Sequence, residues 1–418
     1  MLGASVWRRI VGVDKATVIE GVEVTEEEDA IVVSVRPRRA TKRRCGRCGV
    51  RAPGYDQGEG RRRWRALDLG VVRCYLEADS PRVDCPTHGV TVAQVPWARH
   101  GAGHTKDFDD QVAWLVTHTS KSAVGELLRV AWRTVGSIIT RVVDDARAAH
   151  DPFHGLRRIG IDEISYRRGH KYLTVVVDHD TGRLVWAAPG RDKATLEQFF
   201  DLLGEKRSHL VKLVSADAAE WIAAVVAERC PNATLCADAF HMVAWATKAL
   251  DEVSREIWRV AKKTGAPTLI ARIKGCRYAL LKNPEHLTDK QKAGLARVAQ
   301  VNKTLYRAYL LKEQFRLVFQ LRGKAAIGAL EDWCAWARRC RIPAFVDLYY
   351  RVVKHRESIV ATLTNDGLSN ALVESTNTKL RLLTRVAYGF RSTDNLISLC
   401  LLDRGGYCPP LPGRQEAA

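Results

Sequence analysis

Between Arg158 and His241 one pattern occurs three times: a short apolar run that ends on an acid. Ile159-Gly-Ile161 leads into Asp162, Leu210 to Ser215 leads to Asp217, and Ala233 to Ala237 leads into Asp238 and, one turn later, His241. Lys171 to Val177 and Leu184 to Ala188 read as further strands. Leu196, Phe199, Phe200 and Leu203 recur at the i, i+3, i+4, i+7 spacing of an amphipathic helix. An α/β layer built this way brings carboxylates just past the C-terminal ends of neighbouring strands into one crevice. Two of them, with a third from elsewhere, are a set able to hold divalent metals for phosphoryl transfer. Taken singly, each Asp is also an ordinary turn residue.

A third acid comes from the distant stretch Ser369-Asn-Ala-Leu-Val-Glu-Ser-Thr-Asn377. Ser369 or Asn370 caps a helix with Val373, Thr376, Leu380 and Leu383 on its apolar face. The opposite face carries Glu374, Asn377, Arg381 and Arg385. A first-turn carboxylate with basic residues down the same side suits a helix lying between metal ions and a phosphate backbone. The plain alternative is a solvated polar face.

The order Gly160-Ile-Asp-Glu163, Val214-Ser-Ala-Asp217, Cys236-Ala-Asp-Ala-Phe-His241, Val373-Glu-Ser-Thr-Asn377 and Arg385-Val-Ala-Tyr-Gly-Phe390 resembles the ISL3 family of insertion-sequence transposases over nearly the whole chain. The resemblance implies a ribonuclease H-like catalytic core with Asp162, Asp217 and Glu374 as a DDE triad holding Mg2+ or Mn2+. It also implies that Asp238 and His241 form an accessory Asp-x-x-His motif. Glu163 is the weaker candidate, because strand alternation points it away from Asp162.

The 66 basic residues exceed the 47 acidic ones by 19, which suggests a polyanionic partner such as double-stranded DNA. A length of 418 residues suits two to four domains. No apolar run is long enough for a membrane span, the start lacks a secretory pattern, and eleven scattered cysteines do not read as a disulfide framework. A reducing cytoplasm, on the nucleoid, is the expected location.

Thr17 to Val24 and Ile31 to Val35 alternate as a hairpin does. Arg36 to Arg51 holds eight basic residues and no acid. This run surrounds Cys45-Gly-Arg-Cys48, and after 36 intervening residues comes Cys85-Pro-Thr-His88. Two such pairs make a closed Cys3His set for structural Zn2+, with Cys74, His100 and His104 as competitors for a place. Between them Arg61, Arg62, Arg63 and Arg65 flank Trp64, a composition suited to the DNA backbone. Phe108 to Ala148 reads as three helices with a break at Trp132 and Arg133. As a helix-turn-helix it would turn Arg133, Thr134, Ser137 and Arg141 to a major groove.

After His241, Val243, Ala246, Leu250, Val253 and Ile257 open a helical stretch of roughly a hundred residues that interrupts the sheet pattern. The expected fold class is multidomain α/β: a ribonuclease H-like core interrupted by an all-helical insertion and preceded by a zinc-binding module and a helix-turn-helix. The expected parts are a hairpin region (1–38), a zinc-binding basic module (39–104), the helix-turn-helix (105–150), the catalytic core (155–242 and 360–404), the insertion (243–359) and a disordered tail (405–418). The expected function is a transposase, a homo-oligomer on DNA, that binds terminal inverted repeats, cleaves the element's ends and joins the 3′-hydroxyls to target DNA. A ribonuclease H-like nuclease or resolvase, or a DNA-binding regulator with an inactive catalytic fold, are the alternatives.

Overall fold

The computed structural model describes residues 3–167, 169–365, 371–387, 390 and 392–414. The chain divides into two compact units, Met1–Pro152 with Leu383–Ala418, and Phe153–Leu382. The expected caps Ser369 and Asn370, and Tyr388 and Gly389 of the last motif, lie outside the described residues.

The first unit opens with α1 (Ala4–Ile10) and the antiparallel hairpin β1 (Thr17–Thr25) and β2 (Ala30–Pro37). The strands that follow are β3 (Gly54–Asp56), β4 (Arg61–Arg65), β5 (Arg73–Asp79), β6 (Arg82–Cys85) and β7 (Gly89–Val92). The hairpin does not stand apart as a 1–38 region. β2 pairs in parallel with β5 and β5 antiparallel with β4, so residues on both sides of the expected boundary share one sheet. The cause is alternation: Val33, Val35, Trp64, Leu76 and Ala78 all turn inward onto one core. β3, β6 and β7 form a second small sheet around Cys45, Ala52, Val83 and Cys85.

Three helices follow, α2 (Lys106–Val116), α3 (Lys121–Leu127) and α4 (Trp132–Ala149). Thr105 and Ser120 cap the first two by accepting from Phe108 and Ala123 backbone N–H groups. The break before α4 lies at Leu128 to Ala131, and Trp132 already begins the helix.

The second unit is built on β8 (Arg158–Arg167), β9 (Lys171–Asp178), β10 (Leu184–Pro189), β11 (Leu213–Ala216) and β12 (Thr234–Ala237), in the order β10-β9-β8-β11-β12. β8, β11 and β12 are parallel to one another, and β9 and β10 are added antiparallel. α5 (Lys193–Leu203), the short α6 (Glu205–Ser208) and α7 (Glu220–Arg229) make the crossovers. Leu196, Phe199, Phe200 and Leu203 of α5 are all buried, each contributing about 1.5–3 kcal/mol by its removal from water.

From β12 the chain enters α8 (Ala239–Lys263), α9 (Pro267–Ile273), α10 (Arg277–Leu281), α11 (Asp289–Val301), α12 (Lys303–Val318), α13 (Gly323–Arg339), α14 (Pro343–Lys354) and α15 (Arg356–Thr364). They close over their own core, in which Leu250, Phe315, Trp333 and Phe345 are almost fully buried. α15 covers β12, where Thr362 Oγ1 donates to the Ala237 carbonyl at 2.7 Å. α16 (Ala371–Val386) follows, with Val373, Thr376, Leu380 and Leu383 buried as its spacing required.

α17 (Thr393–Arg404) returns to the first unit and lies on α4, where Thr140 Oγ1 meets Asn395 and Ser398. It was expected within the catalytic core. Gly405 is buried and Tyr407, Cys408 and Pro409 half-buried, so this part of the expected loose tail is packed. A Cβ at Gly405 would lie 2.9 Å from the Tyr407 ring, the contact that folds the chain back.

Candidate active site

Parallel register puts the strand acids on one level. Ser215 of β11 is paired with Gly160 of β8, and Ala216 with Ala237 of β12. Counting on along each strand sets Asp217 level with Asp162 on one side and Asp238 on the other. Asp162 is not at a strand end, as the sequence suggested, because pairing with β9 carries β8 on to Arg167. It sits where the β11 pairing stops, which leaves its side chain facing the crevice. Glu163, the next residue of β8, pairs with Arg191, yet it too feels the Asp217 and His241 charges.

One histidine ties two of these acids together. His241 Nδ1 lies 2.5 Å from Asp217 Oδ1 and 2.7 Å from Asp238 Oδ2. The two carboxylates, Asp217 first, raise the imidazole to about 10, so without another cation it stands protonated between them. Asp238 is 1% exposed and also caps α8 by accepting from the Phe240 N–H. Asp162 is raised to about 7 by burial, with the Asp217 charge adding to it. Glu374 is raised by burial and then by Asp238, with Asp217 acting in the same sense. Asp162 and Glu374 therefore both lie within the field of the Asp217, Asp238 and His241 group.

Position on α16 explains two residues the sequence misplaced or left silent. Asn377 was expected on the DNA-facing side, but it is 1% exposed and its Nδ2 donates to Asp162 Oδ2 at 2.6 Å. Helical geometry sets it one turn after Glu374, at the border of the apolar face, so the same helix carries one acid and grips another. Gly160 is what lets α16 lie so close: a Cβ there would sit 2.4 Å from Val373 Cγ2 and 2.8 Å from His179 Nε2. Arg381 and Arg385 are exposed, in keeping with the basic face.

In the first unit the ligand atoms of Cys45, Cys48, Cys85 and His88 all lie within 4.8 Å of one another. Three thiols and one imidazole closing on a common centre are a zinc donor set, and the residues fit the ion. Cys85 is lowered to about 6, first by the Thr87 backbone N–H. The rival ligands are elsewhere: Cys74 is buried in the larger sheet's core, His104 stacks on Phe108, and His100 stands over Gly46.

Among the helices, Arg133 and Ser137 are exposed and Thr134 half-buried, at the start of α4. Arg141 does not join them, because its guanidinium donates to the fully buried Asp109 at 3.0 Å, beside Arg99 at 3.6 Å. An acid out of water needs those partners more than DNA does. The β4 arginines have protein partners as well, with Arg61 and Arg63 still exposed. Arg61 and Arg63 straddle Glu77 at 2.9 Å each, Arg62 donates to the Ala102 carbonyl at 2.8 Å, and Arg65 is buried against Asp68. Antiparallel pairing placed Glu77 directly opposite Arg63, a relation that composition does not reveal.

Comparison with known proteins decides what this assembly is. Residues 159–400 match the transposase family of the ISL3 type, residues 93–143 the helix-turn-helix domain of transposase family ISL3, and residues 41–88 the zinc-finger of transposase IS204/IS1001/IS1096/IS1165. The chain belongs to the ISL3 family of insertion-sequence transposases. It is 56% identical to the transposase for insertion sequence element IS1557 of Mycobacterium tuberculosis, over 100% of this chain and 99% of that one. It is 26% identical to the transposase for insertion sequence element IS1001 of Bordetella parapertussis, over 84% of this chain and 86% of that one.

This ISL3 transposase thus carries a zinc ribbon and a DNA-binding helix-turn-helix ahead of its transposase domain. Among the described residues no helix is long and apolar enough to cross a membrane. Sequence reasoning overlooked Lys121, which is 4% exposed with its Nζ 3.8 Å from the centre of the Trp132 ring, joining the starts of α3 and α4. It also overlooked His179, whose Nε2 is 2.6 Å from Ser215 Oγ beneath the approach of α16. An apolar-run reading carries no signal for either, since both are polar residues in the interior.

Proposed function

We propose that this transposase binds the terminal inverted repeats of its element, cleaves the DNA at its ends and joins the freed 3′-hydroxyls to target DNA. The observation that carries the reading is the common level of Asp162, Asp217 and Asp238, with Glu374 brought to them on α16. A mixed sheet with a three-strand antiparallel meander and parallel strands beyond it supports a ribonuclease H-like core, and the self-contained α8 to α15 core supports the view that those helices are an insertion.

Asp162, Asp217 and Glu374 are the proposed ligand set for Mg2+ or Mn2+. Their oxygen donors fit a hard divalent cation, which when bound supplies charge for the attacking and leaving oxygens. Asn377 holds Asp162 in place, and the Asp238 and His241 pair holds Asp217. In the first reaction a water oxygen bonds to phosphorus as the bond to the 3′-oxygen breaks, leaving a 3′-hydroxyl and a 5′-phosphate. In the second that 3′-hydroxyl attacks a target phosphate, whose own 3′-oxygen leaves. The protein forms no covalent bond in either. The decisive experiment gives the purified chain a labelled DNA end and a target duplex: joined product supports the reading, and cleavage without joining would leave a nuclease or resolvase.

A further inference from the structure

α8 has one face in the helical core and another that lines a groove. Met242, Ala246, Leu250 and Val253 enter the helical core. The other face, Phe240, Val243, Ala244 and Thr247, lines a groove of about 730 Å3 whose far wall is Leu281 and Phe319. Phe240 at its mouth is 63% exposed, although it stands between Asp238 and His241 in the sequence and its ring lies edge-on to His241 at 5.8 Å. Lys248 lies on the same face two turns along.

We propose that this groove receives the base of one nucleotide, unstacked from the DNA end beside the cleaved phosphate, with Phe240 as its stacking surface. The inference rests on the reading of the acid crevice as the cleavage site. What selects a nucleotide is continuity: a phosphate drawn to a cation on the crevice acids would lie beside His241, which contacts Asp217 and whose ring is 5.8 Å from that of Phe240. An aromatic ring beside an apolar wall, with a lysine at the rim, matches a base with its backbone. A cleft of this size is within the range that takes small planar ligands. A base moved out of the stack also frees the backbone to present its phosphate to the acids. The exposed aromatic thereby acquires a role that the folding of α8 does not give it.

The test uses the full chain and duplexes carrying the element's own terminal sequence, with 2-aminopurine at each position flanking the cleaved phosphate. In the Glu374→Gln background one position is expected to brighten on binding. Phe240→Ala should slow cleavage roughly 10-fold, the scale of losing one stacking surface, and weaken end binding by no more than that factor. Phe240→Trp should restore the rate. An abasic nucleotide at the reporting position should make wild type and Phe240→Ala cleave alike. The inference is overturned if no position brightens, if Phe240→Ala cleaves as wild type, or if that variant instead loses a protein oligomer, which would make the groove a contact between copies of this chain. Should Asp217→Asn cleave normally, the crevice itself is misread and this inference falls with it; an inactive Asp217→Asn beside a fully active Phe240→Ala removes the groove alone.

Discussion

Asn377 Nδ2 donates to Asp162 Oδ2 at 2.6 Å, joining residues 215 apart in the chain. A hydrogen bond to an ionised carboxylate contributes about 1.5–3 kcal/mol, and this one fixes the geometry of a proposed metal ligand. Asn377→Ala is expected to slow end cleavage by roughly 10- to 100-fold and to raise the Mg2+ concentration needed for half-maximal rate, with DNA binding unchanged. Asn377→Asp should be worse, since it sets a second carboxylate against the first. A normal Mg2+ midpoint in both variants would show that the amide merely fills space.

Asp162→Asn, Asp217→Asn and Glu374→Gln should each abolish cleavage while leaving end binding nearly intact, because each removes a charge from the crevice without altering shape. Gel-based cleavage and shift assays on the same preparations check this. Any one variant that still cleaves leaves the proposed triad.

Cys48→Ser should release about one equivalent of zinc and unfold the sheet of β3, β6 and β7. Its core is Cys45, Ala52, Val83 and Cys85, too small to fold on burial alone. Metal analysis with hydrogen exchange across residues 44–92 reads both effects, and an intact protein free of zinc would refute the assignment.

The arginines separate into two kinds. Replacing Arg133 should relax discrimination between end and random DNA, since base contacts specify and phosphate contacts position. Arg141→Ala should instead destabilise the fold by about 3–5 kcal/mol, because it strips a partner from an acid with no exposure. Competition binding and thermal unfolding, run on both variants, should show opposite patterns; equal losses of specificity would return Arg141 to the DNA surface.

Lys121 makes a pH-dependent prediction. Burial lowers it to about 8 from an ordinary 10.5, so between these values the unfolded chain holds a proton that the folded one has shed. Stability should rise as pH increases through that window and be lower, and flat from this source, below pH 8. In Lys121→Met that rise should vanish. An identical slope in both proteins, measured by denaturant unfolding, would place the ammonium in water.

Much of this was legible because it depended on local repetition. Leu196 to Leu203, the β1 and β2 alternation, and each of the pairs Cys45/Cys48 and Cys85/His88 are patterns within reach of one element or one turn. What was not legible depended on which strand lies opposite which. The pairing of Arg63 with Glu77, the burial of Asp109 between Arg99 and Arg141, and the inward turn of Asn377 follow from register and helix placement, and in the sequence these residues look like solvated charge or polarity. A polar residue at the border of an apolar helical face, one turn from an acid, was the one available sign.

α17 rests on α4 through Gly136 and Thr140, although most of the chain separates the two helices. On a ribosome, therefore, α4 emerges early and waits for its partner until residues 393–404 have been made. A chain released before that point would expose the side of α4 that α17 covers. The packing of α4 is thus completed only by a polypeptide whose synthesis has already passed Asp162, Asp217 and Glu374.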